Sequence, residues 1–453
     1  MAVRPKLRSW ILALLLVSGS ARAAEPAPGQ VLYRGATLID GTGAPAQANM
    51  AILTDGERIG RIAPAAELAA PSGAKVVDVS GLYVTPGLIN SHEHLATPPN
   101  RRFAEAMMRR DLYGGITAVR DMADDLRALA DLARASRVGE IPGPDLYYAA
   151  LMAGPAFFDD PRTHATTAGE TAGAVPWMQA IRPETDLVLA VALARGTGAT
   201  AIKIYADLPG DLVAAITREA HRQGIQVWAH AAVFPASPKQ GIEAGVGAVS
   251  HVCMLAYQVS DTMPAAYHHR APVDEARFAG GDNPVLGGLF DEMHDRGQVL
   301  DATLLVYREM AQAHAAHPGG PAPYCSDGLA EKLANQAYRA KVLISTGTDG
   351  FSAQADPWPA LQDELELLQD KAGMKPMDVI RSATLVGAIS MGKQDQMGTI
   401  APGKLANLVF VAKDPAADVR AFRSVVLTVK RGAAFWRKDY RPVTRDEMGP
   451  DEE

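Results

Sequence analysis

His92 and His94 stand two apart in Ser91-His92-Glu93-His94. On a strand, residues two apart point to the same side, so both imidazoles would meet at one point and suit a divalent cation. Alone the pair is weak, since two surface histidines reach this spacing by chance. Further residues of the same kind follow. His230 closes Gln226-Val227-Trp228-Ala229, His251 closes Ala248-Val249-Ser250, and Asp349 lies in Thr348-Asp349-Gly350. In Ala201-Ile202-Lys203-Ile204-Tyr205 the isoleucines share one face, leaving Ala201, Lys203 and Tyr205 on the other. A lysine inside a sheet is costly unless paired or neutralised. With its pKa depressed it becomes a nucleophile toward carbon dioxide, and the carbamate formed is an anionic ligand able to bridge two metals. The plain alternative is a lysine reaching to the rim.

These six side chains need a scaffold that brings strand ends together. Apolar runs at 116–119, 145–151, 200–205, 226–231, 248–252, 299–304 and 342–346, with one more from residue 88, alternate with helical stretches at 126–135, 212–223 and 238–244. Eight strands with intervening helices predict an α/β fold, a parallel (β/α)8 TIM barrel. The six residues all fall at the C-terminal ends of these strands, where such barrels carry their active sites. Residues 31–84 and those past 391 read instead as short strands with turns, and are expected to meet as one small β-sandwich domain. The expected organisation is a signal peptide at 1–23, the first sandwich part at 24–86, the barrel at 87–395, the second sandwich part at 396–443 and a frayed tail at 444–453. The stretch 260–283, rich in Pro, Gly and His, is expected to be a long loop over the barrel mouth.

The chain has 453 residues and a formal net charge of -7. That charge argues against a general nucleic-acid binder, which needs a basic surface. Arg4, Lys6 and Arg8, the apolar run from Trp10 to Val17 and Ala21-Arg22-Ala23 read as a secretory signal. The run is well short of the roughly 20 residues that span a bilayer. An exported, periplasmic or secreted protein with no membrane association after cleavage is therefore expected. The only two cysteines, Cys253 and Cys325, are no disulfide scaffold, and the balance of the reading is against their pairing.

The chain resembles the amidohydrolase superfamily, closest to its imidazolonepropionase-like and prolidase-like (Xaa-Pro or Xaa-Arg dipeptidase-like) branch. The resemblance rests on Gly35-Ala36-Thr37-Leu38-Ile39-Asp40-Gly41-Thr42-Gly43, on Val84-Thr85-Pro86-Gly87-Leu88-Ile89-Asn90-Ser91-His92, and on Gly114-Gly115-Ile116-Thr117-Ala118-Val119-Arg120-Asp121. It continues in Gly347-Thr348-Asp349 and in the stretch from Gly398 to Leu408. It implies that His92, His94 and Asp349 hold a buried metal, that His230 and His251 hold a second, and that Lys203, N6-carboxylated, bridges them. Ser250 stands where the branch often has Glu and Asn407 where it often has Asp; neither is a ligand position. Two divalent ions, zinc foremost, would supply a metal-activated hydroxide, with Asp349 as the catalytic proton carrier. The substrate would be a small molecule with an amide or peptide bond, such as a dipeptide, an N-acyl amino acid or a cyclic amide. Tyr205, Arg120 and His164 are candidate substrate contacts, with Arg162, Arg270 and Arg277 as further carboxylate binders. A homo-oligomer is compatible with the sequence. Two alternatives stay open: a mononuclear amidohydrolase or deaminase without a carboxylated lysine, and a non-catalytic barrel used as a binding module.

Overall fold

The computed structural model describes residues 29–448, so the expected signal peptide lies outside the described residues. Eight parallel strands form the barrel: Leu88–Glu93, Ile116–Asp121, Asp145–Ala153, Ala201–Ile204, Gln226–His230, Ala248–Ser250, Val299–Asp301 and Leu343–Ser345. Helices cover their outer face, so both faces are buried and the strands read as continuous apolar runs rather than alternating ones. The first and last strands close the ring: the Ser91 N–H donates to the Thr346 carbonyl at 2.6 Å, and the Asp349 N–H to the His92 carbonyl at 3.0 Å.

Several elements start where short polar side chains satisfy free backbone amides. Asn100 caps Arg101–Tyr113, Asp125 caps Leu126–Arg137, and Ser237 with Gln240 forms a capping box for Pro238–Glu243. Expected strand 299–304 is shorter than the apolar pattern suggests. Thr303 adopts a left-handed backbone (φ 51°), and Leu304 opens a helix whose first N–H groups, Leu304 and Leu305, donate to the Glu364 carboxylate.

The two chain ends meet as expected. Tyr83–Pro86 pairs antiparallel with Leu408–Val411 and parallel with Gln30–Leu38, in one eight-stranded sheet that runs on to Val425–Lys430 and Ala433–Trp436. This domain has its own core of Val31, Tyr33, Val84, Phe410 and Leu427. Lys430 and Arg431 tie it to the barrel through Asp145, at 3.3 and 2.7 Å.

Two expectations need correction. The tail is not frayed as far as Met448: Glu447 pairs with the nearly buried Arg109 at 2.9 Å and accepts the Thr444 N–H. And Cys253 and Cys325 are joined, with Cα atoms 6.3 Å apart across 72 residues of sequence. Both sulfurs are buried beside the cavity described below, a proximity that sequence separation conceals. No helix among the described residues is long and apolar enough to cross a membrane.

Candidate metal centre and active-site cavity

The C-terminal ends of the barrel strands open into a cavity of about 370 Å3. His92, His94, His230, His251, Asp349 and Tyr205 all line it. The Asp349 carboxylate lies 3.5 Å from His92 Nε2, 3.4 Å from His94 Nε2 and 3.9 Å from His251 Nδ1. Ligand atoms of His92, His94 and Asp349 all lie within 4.8 Å of one another. The His251 ring stands 4.8 Å from those of both His92 and His230, centroid to centroid.

What orients these rings is a layer the sequence reading did not find. Asp301, at the end of its strand, accepts from His92 Nδ1 at 2.7 Å, and Asp124 accepts from His94 Nδ1 at 2.7 Å. Each bond places the proton on Nδ1 and leaves the Nε2 lone pair for a cation, the usual way a carboxylate fixes a ligating histidine. Asp301 is itself held by Arg120 (3.1 Å) and Ser250 (3.0 Å). Asp124 also accepts from the Ala96 N–H and the Thr97 hydroxyl. His251 Nδ1 meets Thr303 Oγ1 at 3.0 Å. His230 Nδ1, by contrast, is buried with no hydrogen-bond partner. A buried nitrogen left unpaired is costly, so His230 fits a ligand role. His251, Thr303 and Asp349 all carry positive φ (74°, 51° and 50°), and such backbone strain gathers where surrounding structure must aim a functional side chain.

The charge balance agrees with cation binding. Burial, then the Lys203 ammonium, holds His92 well below the usual histidine range. Burial and neighbouring cations likewise keep His230 and His251 neutral. Burial works downward on His94 too, but Asp124 and Asp349 outweigh it and raise its pKa. Lys203 has no exposure, and its Nζ meets Ser250 Oγ at 3.5 Å. Burial, then Arg120, brings its pKa down to about 7, so a sizeable neutral fraction exists near neutral pH.

Not every expected substrate contact reaches the cavity. Arg120 is fully buried beneath the site, donating to the Ser91 carbonyl and Asp301 and stacked 4.7 Å over Trp228; it supports the ligand layer and cannot touch substrate. His164 is exposed on the outer side of its short helix Pro161–Thr166, which turns Arg162, not His164, toward the cavity. Arg277 is engaged by Asp261 and Asp274. Tyr205 does line the cavity, its ring 3.9 Å from that of His230, and Arg162 donates to its hydroxyl at 3.3 Å. Asn407 lies away from the site, accepting the Arg431 N–H. The long loop contributes Tyr267 and Arg270, as its placement over the mouth predicts, and Tyr324 comes from the segment that ends at the disulfide.

The model of the amidohydrolase family matches residues 83–434, which takes in the whole barrel and every candidate ligand. The chain belongs to the amidohydrolase family. The imidazolonepropionase of Micrococcus luteus is 26% identical over 415 residues, covering 87% of this chain and 94% of that protein. Among solved structures, a Xaa-Pro dipeptidase with bound methionine in its active site superposes with a TM-score of 0.71 at 21% identity, over 90% of this amidohydrolase and all of that chain. Ochratoxinase of A. niger gives 0.69 at 20% identity, over 91% and 98%. This amidohydrolase is a metal-dependent hydrolase acting on C–N bonds. A barrel kept only as a binding module is set aside.

Because Asp301 orients His92 and also neutralises Arg120, Asp301→Asn should weaken metal retention by about 10- to 100-fold. Metal titration against a chelator of known affinity measures this; retention equal to the unaltered protein would remove the orienting role.

Proposed function

We propose that this amidohydrolase is an exported, dinuclear enzyme, with zinc as its metal, that hydrolyses the amide bond of a small carboxylate-bearing substrate such as a dipeptide or N-acyl amino acid. The observation that carries this reading is one cavity lined by four histidines and Asp349, with Lys203 buried beside it, and by a guanidinium, Arg270, that no carboxylate among the described residues pairs with. His92, His94 and Asp349 are suited to one ion and His230 with His251 to the other, with carboxylated Lys203 between. Two such ions supply, when bound, water of lowered pKa and polarisation of the scissile carbonyl.

The chain's own groups do the rest. Asp349, next to His92, His94 and His251, is placed to take a proton from the attacking water and hand it to the leaving nitrogen. Water adds to the carbonyl carbon, the C–N bond breaks, and that proton makes the leaving group a neutral amine. Arg270 is clamped between the rings of Tyr267 (4.2 Å) and Tyr324 (4.7 Å) and donates to the Tyr267 carbonyl, which holds its planar fork ready for a carboxylate. Arg162, already paired with Asp160, adds positive potential through its contact with Tyr205. Met254, Val306 and Met310 offer an apolar wall for the acyl side chain. Export is supported by the leader-like N-terminal sequence and by the Cys253–Cys325 bond, since disulfides persist in oxidising compartments.

The test is metal analysis after reconstitution in zinc and bicarbonate, with turnover measured on dipeptides, N-acyl amino acids and cyclic amides. Less than one metal per chain would sink the dinuclear form. Arg270→Met should raise KM for free-carboxylate substrates by about 10- to 100-fold, the worth of a charge-assisted hydrogen bond, and leave KM for their carboxamides unchanged. Equal losses on both would remove the carboxylate from the reading. One observation favours a mononuclear alternative: the tightest ligand group contains only His92, His94 and Asp349.

A further inference from the structure

Glu309 is a carboxylate that the chemistry described so far does not use. It sits on the helix Leu304–Ala316, between Val306 and Met310, both of which line the cavity. Its carboxylate lies close to the backbone beside Asp349: a Cβ placed on Gly350, the next residue, would be 2.9 Å from Glu309 Oε2. No hydrogen bond or salt bridge among the described residues reaches this carboxylate. Its neighbour Arg308 turns to Asp363 instead, at 2.9 Å. Glu309 is only partly exposed, so solvent does not fully compensate its charge.

The opposite sign lines the cavity itself, in Arg270. Arg270 belongs to the His230 side, its clamp residue Tyr267 lying 5.5 Å from the His230 ring. His230 and Asp349 follow strands three apart around the barrel. An unpaired guanidinium thus lines the His230 side, and an unpaired carboxylate lies next to the opposite side, against Gly350 and between two lining residues of its helix. Between them lie the candidate ligands, where the scissile carbonyl would sit. A substrate with an anion at one end matches half of this; one with a cation at the other end matches both.

We infer that Glu309 is a specificity-determining residue that receives the α-ammonium group of the substrate, so that the enzyme selects dipeptides with a free N-terminus over N-acyl amino acids. This rests on the reading of the cavity as a C–N hydrolase site and narrows its substrate class. An unpaired ammonium beside an unpaired carboxylate gains a charge-assisted hydrogen bond, and an uncharged acyl group forfeits it.

The experiment compares leucyl-alanine with its desamino analogue, 4-methylpentanoyl-alanine, which keeps the scissile bond, the side chain and the carboxylate and lacks only the ammonium. Both kcat/KM and calorimetric affinity are measured on the zinc-reconstituted protein and on its Glu309→Gln variant. The unaltered enzyme should favour leucyl-alanine by about 10- to 100-fold. Glu309→Gln should abolish that preference by weakening leucyl-alanine alone, with metal content unchanged. A preference that survives Glu309→Gln, or no preference in the unaltered enzyme, overturns the inference. If neither compound is hydrolysed, the calorimetric preference still decides: its loss in Glu309→Gln supports the ammonium site even as the hydrolytic reading of these substrates falls.

Discussion

If the centre is dinuclear as proposed, replacing Lys203 with alanine should remove one of its two metals and lower kcat/KM by about 10³-fold or more, the several kcal/mol that a lost metal clamp represents. Two facts make the effect large. Lys203 has no exposure and, among the described residues, no carboxylate within hydrogen-bonding distance; its one hydrogen-bond partner there is Ser250 at 3.5 Å. An uncompensated ammonium there is unfavourable, whereas a carbamate formed from the neutral amine and carbon dioxide, with release of a proton, is an anion among cations. Metal stoichiometry by mass spectrometry, with and without bicarbonate, reads the result. Unchanged stoichiometry with full activity would establish the mononuclear alternative, in which His251 orients water or substrate and Lys203 is structural. The variant should keep the barrel folded, because it removes a buried charge rather than an apolar anchor. A thermal melt distinguishes loss of fold from loss of metal.

Asp349→Asn is the second large effect. A positioned general base contributes roughly 10²- to 10⁴-fold, so kcat should fall by that factor. The loss should be smaller for an activated anilide, whose leaving group departs with little need for a proton. An equal loss on activated and ordinary amides would place Asp349 among the metal ligands alone. Burial raises the Asp349 pKa while His94 and Lys203 oppose the rise, so this carboxylate is poised by its neighbours as well as placed by them.

The ligand positions were legible because of where they fall. His230, His251 and Asp349 each follow an apolar run too short for a helix, and a parallel barrel puts all such ends on one rim. Lys203 was legible through alternation on its own strand. Asp301 was missed although it too closes an apolar run, Val299-Leu300-Asp301, because a lone aspartate at a strand end gives no hint that it faces a histidine 209 residues away. Asp124 lies in the turn after a strand, where aspartates are ordinary. Arg120 was misassigned for a related reason: its place in a strand was right, but whether an inward side chain points up to the mouth or down into the layer beneath depends on a partner that sequence does not name. Tyr324, Arg270 and Glu309 come from a loop pair and a helix whose seating is decided by tertiary packing. The Cys253–Cys325 bond joins that loop to the short 3-10 helix that follows His251, and no local pattern announces it.

The seam between the first and last barrel strands has a consequence for biogenesis. His92 and His94 leave the ribosome early and Asp349 late, and the three converge only when Ser91 and Thr346 pair. Loop closure over so long a stretch is slow and comes late in folding. Half-made chains therefore carry histidines but no assembled centre. A chain released before Asp349 is made lacks one member of the ligand group, so catalytic competence becomes a report that synthesis has passed the last barrel strand.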